Sequence, residues 1–220
     1  MKKTVKIILS FDLDNTLINN RKGIVKSFNY ALRKFTLPEL NREEIEAMIG
    51  TSLDEMFSKV SNLNPSELSS AFREYYGIEG IYQSKLLSGV KKKLKEFKNV
   101  GFTLGVITSK KQEMAKKIIE ILQIQKYFDY VLGETEDRKE LGKLDPKLKI
   151  ILEKNYPGYR VIIIGDHPKD VRLSNILNCP FIGVLTGHHS AKQLYEIKTG
   201  KVVIINSVND LTVDLIYSLI

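Results

Sequence analysis

Apolar and polar positions follow two rhythms along this chain. Six short β-rich apolar runs, VKIILSF (5–11), FTLGVIT (102–108), YFDYVLG (127–133), RVIIIGD (160–166), FIGVLT (181–186) and VVII (202–205), are separated by stretches whose apolar residues recur at helical spacing. Such alternation predicts an α/β domain built on a parallel sheet. VKIILSF and RVIIIGD are nearly continuously apolar, the pattern of strands covered on both faces, so these two belong at the sheet centre.

The rhythm breaks after the first run. Residues 18–85 hold helical patterns and no convincing strand, which predicts a helical domain inserted into a core made of 1–17 and 86–220. Its first helix carries Ile24, Phe28, Leu32 and Phe35 at helical spacing, and Asn41 with Glu44, then Asn64 with Pro65 and Glu67, read as helix N-caps. Phe72, Tyr75 and Tyr76 are expected to pack the insert. Farther on, KKKLKEFK (91–98) alternates around Val90, Leu94 and Phe97 and reads as a solvated helix face rather than a nucleic-acid patch.

Composition changes this picture in three places. At 220 residues the chain can bury a sizeable core without staples, and its single cysteine, Cys179, excludes an intrachain disulfide and a Cys-rich zinc site, pointing to a reducing, cytoplasmic setting. No apolar stretch approaches the roughly 18 residues that span a bilayer, and MKKTVKIILSFDLDN turns acidic where a signal peptide would stay apolar, so no membrane partner is expected. Lys plus Arg number 34 against 26 Asp plus Glu, a balance of +8, but the cations are scattered among acidic neighbours. That distribution suits a small anionic ligand better than nucleic acid.

The candidate chemistry lies at the ends of the runs. Asp12 and Asp14 follow VKIILSF; in extended backbone residues i and i+2 point the same way about 7 Å apart, so both carboxylates face one site. Paired anions call for a compensating cation, and an oxygen-only donor set makes Mg2+ the default. An ordinary polar turn explains Asp-Leu-Asp-Asn equally well when that segment is taken alone. The second strand ends GVITSK, which puts Thr108 and Ser109 where a helix should begin at Lys110, a place suited to phosphate or to a plain N-cap. RVIIIGDHPKD supplies Asp166 and Asp170, and GKLDPKLK supplies Lys143 ahead of a helix that Asp145 could cap. Ligands of open α/β sheets bind outside the carboxyl ends of the strands, where Asp12, Thr108 and Asp166 all fall.

Taken together, DLDNT, VITS, Lys143 in GKLDP and GDHPKD resemble, in order, the four motifs of the haloacid dehalogenase-like hydrolase superfamily, in its phosphatase branch with a helical cap after the first motif. The resemblance covers essentially the whole chain, and phosphoglycolate phosphatase-like members look most similar. It implies a Rossmann-like core with an inserted helical cap domain and a Mg2+-dependent phosphatase acting on a small phosphorylated metabolite. Asp12 would be the nucleophile and become an aspartyl-phosphate, with Asp14 as acid and base. Asp12, the Asp14 backbone carbonyl and Asp166 would hold the metal, and Asp170 would orient its shell. Thr108, with Ser109 and Lys143, would hold phosphoryl oxygens, and Thr16 would fix Asp14 within its loop. Specificity would reside in the insert, with Thr51 and Ser52 beside Gly50 as substrate-binding candidates and hinges near 18–22 and 82–88.

Three positions depart from the family pattern: Asn15 stands where Gly is usual, Leu144 where Pro is frequent, and His167 where Ser is common. His167 is expected in an exposed loop, and His188 and His189 in a solvated one. The rivals are a sugar phosphomutase, a nucleotidase, a phospho-accepting receiver and a nucleic-acid-binding module, in a monomer or homodimer.

Overall fold

The computed structural model describes residues 5–138 and 142–220, so the start of the MKKTVKIILSF segment lies outside the described residues. In chain order the elements are β1 (Ile7–Phe11), β2 (Ile18–Asn19), α1 (Arg21–Lys34), α2 (Arg42–Ala47), α3 (Leu53–Ser58), α4 (Pro65–Ile78), β3 (Lys85–Leu86), α5 (Val90–Val100) and β4 (Thr103–Lys111). They continue with α6 (Gln112–Ile121), β5 (Tyr130–Glu134), α7 (Lys147–Asn155), β6 (Arg160–Gly165), α8 (Pro168–Ile176), β7 (Phe181–Val184), α9 (Ala191–Ile197), β8 (Val202–Ile205) and α10 (Val213–Ser218). Among the described residues no helix is long and apolar enough to cross a membrane.

The chain divides into two compact units, Met1–Leu17 with Leu86–Ile220, and Ile18–Lys85. The first holds a six-stranded sheet in the order β5-β4-β1-β6-β7-β8, every pairing parallel. β1 and β6 lie at its centre, and every residue of β1 is buried. Each fully buried Ile, Leu or Phe contributes about 1.5–3 kcal/mol relative to exposure, which a strand open on one face would forfeit. Ser10, the polar exception in β1, hydrogen-bonds the Tyr130 hydroxyl of β5. From β1 the chain winds outward through β4 to β5, then crosses back to β6 and winds the other way. The reversal leaves a crevice at the carboxyl ends of β1 and β6. Around the sheet, α5 buries Val90, Leu94 and Phe97, leaving Lys91 and Lys92 exposed, while Lys93 is half-buried and pairs with Glu96 at 3.2 Å.

The second unit is built on α1 and α4. α1 buries Gly23, Ile24, Ser27, Phe28, Ala31 and Leu32, whereas Phe35, expected on the same face, is a half-buried C-cap. Gly23 abuts Gly80 so closely that a Cβ there would come within 2.2 Å of the Gly80 carbonyl oxygen. The Phe28 ring stacks on Phe57 of α3 at 4.2 Å, while Phe72 and Tyr76 are buried within the unit and Tyr75 stacks on Tyr30. Asn41 and Glu44 form a capping box, and Asn64 caps α4 with Pro65 in its first turn.

Two boundaries differ from the sequence expectation. β4 runs on through Lys111 and α6 starts at Gln112, not at Lys110. A register shift between Ile107 and Lys111 keeps the strand extended until Lys111 pairs with Glu134, so Thr108 and Ser109 sit on a bulged strand end rather than at a helix N-terminus. In the insert, β2 and β3 pair as a small two-stranded sheet, each too short to leave a sequence pattern.

Candidate active site

The loop after β1 is fixed at both ends. The Asp12 N–H donates to the Ile164 carbonyl of β6 at 2.8 Å, and Leu17 N–H closes the turn on the Leu13 carbonyl at 3.0 Å. Asn15 lies between them at φ 58, in the left-handed region that glycine prefers and asparagine tolerates best among the others. This explains how Asn15 serves where the resembling family usually has Gly. Asp12 and Thr16 are buried, while Asp14 is half-buried and pairs with Lys110 Nζ at 3.2 Å.

Three other segments meet this loop. Asp166 follows the last residue of β6, and Asp170 lies one turn into α8, where its Oδ2 accepts the His167 N–H at 3.0 Å as part of a capping box. Carboxylate oxygens of Asp12, Asp166 and Asp170 lie within 4.8 Å of one another, and all three residues are buried. Lys143 enters from the turn before α7, also buried, donating to Asp170 Oδ1 at 2.5 Å and to Asp12 Oδ1. That turn is held by Asp145, whose Oδ1 accepts the Lys147 N–H at 2.8 Å. Thr108 is buried on the β4 end, and its Oγ1 accepts the Lys110 N–H at 3.3 Å; Ser109 beside it is half-buried.

The electrostatics state what this cluster needs. Burial raises the Asp12 carboxyl to about 7 against the pull of Lys143, with Asp170 and Asp14 pushing the same way as burial. Burial first, then Asp12 and Asp170, push Asp166 well above the ordinary carboxylate range. For Lys143 burial works against the charge, but Asp12 and Asp170 outweigh it and hold the ammonium above its usual value. One ammonium among three buried carboxylates leaves negative charge that a hard divalent cation with oxygen ligands would satisfy, so the donor set fits Mg2+.

Several expected placements change. Thr16 does not serve its own loop: its Oγ1 donates to Asp166 Oδ1 at 3.0 Å, because the turn aims it at the neighbouring strand end. The Asp14 carboxylate pairs with Lys110 and is not one of the clustered carboxylates, which leaves its backbone carbonyl as the expected ligand atom. His167 is not an exposed loop residue; it is the half-buried N-cap of α8, its Nδ1 accepting the Lys169 N–H at 3.0 Å. Burial, with His189 and Lys143 adding to it, pulls His167 down to about 3, so the ring is neutral. His189 packs edge-on against it at 4.5 Å and is half-buried, whereas His188 is exposed as expected. Within the 18–85 unit, Ser52 is the N-cap of α3 in a capping box with Glu55, and Thr51 Oγ1 donates to the Met48 carbonyl at 2.9 Å. Both hydroxyls proposed for substrate thus have local partners.

Two residues that sequence reasoning missed belong to the loop after β7. The Thr186 hydroxyl donates to the Asn15 carbonyl, pinning the left-handed residue between Asp14 and Thr16. Gly187 lies so near Asp166 that a Cβ would fall 1.9 Å from its Oδ2. Neither has a sequence signal, because each acts on a residue of another loop, Thr186 on Asn15 across 171 positions of sequence and Gly187 on Asp166 at the end of the preceding strand.

Comparison with known proteins agrees with this geometry. The profile of the haloacid dehalogenase-like hydrolases matches residues 8–184. A relative from Caldanaerobacter subterraneus subsp. tengcongensis described as a pyrophosphatase is 29% identical over 161 residues, 73% of each chain. The phosphoglycolate phosphatase of Escherichia coli K12 is 24% identical, covering 92% of this chain and 90% of its own. A haloacid dehalogenase-like hydrolase of known structure from Streptococcus pneumoniae superposes with a TM-score of 0.83 at 22% identity, over 97% of this chain and 98% of its own, and so shares the fold. With the four motifs, the sheet order and the profile in agreement, the chain belongs to the haloacid dehalogenase-like hydrolase family.

Proposed function

We propose that this hydrolase is a Mg2+-dependent phosphatase that cleaves a small phosphate monoester through an aspartyl-phosphate, with phosphoglycolate-like esters as the first substrate class. The observation that carries this reading is the convergence of Asp12, Asp166, Asp170 and Lys143, from three separate stretches of chain, into one buried cluster.

In the proposed reaction an Asp12 carboxylate oxygen attacks phosphorus, the phosphorus–oxygen bond to the leaving group breaks, and Asp14 gives the departing alkoxide its proton. Water then attacks the phosphoryl group, Asp14 takes a proton from it, and orthophosphate leaves with Asp12 restored. Lys143 and Thr108 hold phosphoryl oxygens, and Lys143 steadies Asp12 before attack. Asp12, Asp166 and the Asp14 backbone carbonyl would hold the metal, with Asp170 orienting them. When bound, Mg2+ neutralises phosphoryl oxygens so that one anion can approach another.

A panel of phosphate monoesters including phosphoglycolate tests this reading. Orthophosphate release should disappear on chelation and return with added Mg2+; no release from any ester would overturn it. The relative described as a pyrophosphatase supports a second substrate, so pyrophosphate belongs in the same panel.

Two variants probe the supporting groups. Asp14→Asn removes acid–base help worth about 10²- to 10⁴-fold. It should slow turnover to that extent and raise the steady-state fraction of phosphorylated enzyme or delay its formation; an unchanged rate would argue against the role. Gly187→Ala would drive a methyl group into the Asp166 carboxylate. Misplacement of that size costs about 10²-fold, so turnover should fall this far while the far-ultraviolet spectrum is kept. Undiminished turnover would show that Asp166 can move without consequence.

A further inference from the structure

At the end of the sheet opposite Asp12 and Asp166, a cavity of about 710 Å3 opens where β6, β7 and β8 begin. It is walled by Arg160 at the start of β6, Cys179 and Pro180 before β7, and Lys198 to Lys201 before β8, with Tyr156 and Tyr159 after α7. Nothing in the proposed reaction uses it.

Its wall is cationic and preformed. Among the described residues that line it, Lys149, Arg160, Lys198 and Lys201 stand against one acidic side chain, Glu153, which lies 4.0 Å from Lys149. Asn175 orders the loop that carries two of these cations: its Oδ1 accepts from Lys198 Nζ at 3.0 Å, from the Thr199 N–H at 3.1 Å and from the Thr199 hydroxyl at 3.1 Å, and its Nδ2 donates to the Ile197 carbonyl at 2.9 Å. Lys198 Nζ also donates to the Thr199 carbonyl at 2.6 Å, which leaves one of its three hydrogens, and Lys201 Nζ donates to the Leu219 carbonyl at 3.0 Å, which leaves two. The Arg160 guanidinium, exposed at the rim, has no acceptor among the described residues. Burial pulls the Lys198 ammonium below its ordinary value, a cost that a bound anion would relieve. Spare donors on a guanidinium and two ammoniums suit phosphate oxygens.

The cavity is larger than a lone phosphate needs and falls within the about 300–1,000 Å3 of small-molecule sites. One side is aromatic: the Tyr156 and Tyr159 rings meet edge-on at 5.5 Å, with Lys6 Nζ 5.4 Å from the Tyr159 centroid. A planar base can stack there while its phosphates reach the cations. We propose that this cavity is a nucleotide-binding site, taking the ring of a nucleoside diphosphate or triphosphate against Tyr156 and Tyr159 and its phosphates on Arg160, Lys198 and Lys201.

The site is separate from the Asp12 cluster and does not depend on the phosphatase reading. Calorimetric titration of the full chain with ADP, in metal-free buffer to exclude turnover, tests it. Binding should survive Asp12→Asn and weaken at least tenfold in Arg160→Glu and in Lys198→Gln, the latter a gentler change should the former disturb β6. Because Cys179 is the chain's single cysteine and lines the cavity, ADP should also slow its alkylation. Absence of ADP binding at millimolar concentration, or binding of equal strength in both cavity variants, would overturn the proposal.

Discussion

Asp12→Asn is expected to lower phosphatase turnover by about 10⁴-fold or more, the scale seen when a covalent nucleophile is removed. At about 1.36 kcal/mol per tenfold, that is a loss of more than about 5 kcal/mol of transition-state stabilisation. The substitution keeps the shape of the side chain and removes only its charge, so the fold gives no reason for such a loss. Stability should move the other way or not at all. Burial raises the Asp12 carboxyl to about 7, meaning that the folded chain disfavours its ionised form. A neutral amide removes that cost, and Lys143 keeps Asp170 as its partner. The metal-free variant should therefore melt no lower than the parent near neutral pH. A variant that is inactive because it is unfolded would contradict this pairing of results, as would near-native turnover.

Lys143→Met should have the largest effect on stability. Lys143 is buried and donates to both Asp12 and Asp170, while Asp166 lies within the same cluster. Methionine fills much of the same space and removes the charge, leaving three buried carboxylates without a cation. Breaking a buried ion pair from one side costs about 3–5 kcal/mol, which is a large share of the about 5–15 kcal/mol that typical domains possess. Urea denaturation of the metal-free protein should show that loss, and added Mg2+ should recover part of it by supplying the missing charge. Unchanged stability without metal would mean that the carboxylates are protonated or solvated in the native state. Turnover should fall as well, since in the proposed reaction the same ammonium steadies the nucleophile and meets the phosphoryl group.

The two predictions rest on features that differ in how visible they are along the chain. The six sheet strands are legible because each is a short apolar run bounded by turn residues, and the central pair is legible because strands buried on both faces have no polar alternation. The insert's helices announce themselves through Asn41 with Glu44 and Asn64 with Pro65, which are local devices. β2 and β3 have two residues each and no pattern to read. The extension of β4 to Lys111 depends on a bulge against β5, a tertiary event that overrides the local helix-start signal.

The candidate site divides along the same line. Asp12, Asp166 and Asp170 can be found because they sit at or just past strand ends, and Lys143 because it precedes a capped helix. What each side chain touches is not legible. Thr16 reaches Asp166 across 150 residues of sequence, and nothing near Thr16 announces that partner. Thr186 and Gly187 look like an ordinary strand exit until folding sets one on Asn15 and the other against Asp166. His167 reads as a loop residue because helix N-caps are seldom histidine; here its Nδ1 takes the acceptor role that Ser or Asp commonly fills.

Everything turns on whether Asp12 carries the phosphoryl group during turnover. Borohydride converts an aspartyl-phosphate to homoserine, so enzyme quenched in the steady state with an active monoester, reduced and sequenced by tandem mass spectrometry reads the nucleophile directly. Homoserine at position 12, absent without substrate, is the predicted result; homoserine at another position, or none while turnover proceeds, would contradict it.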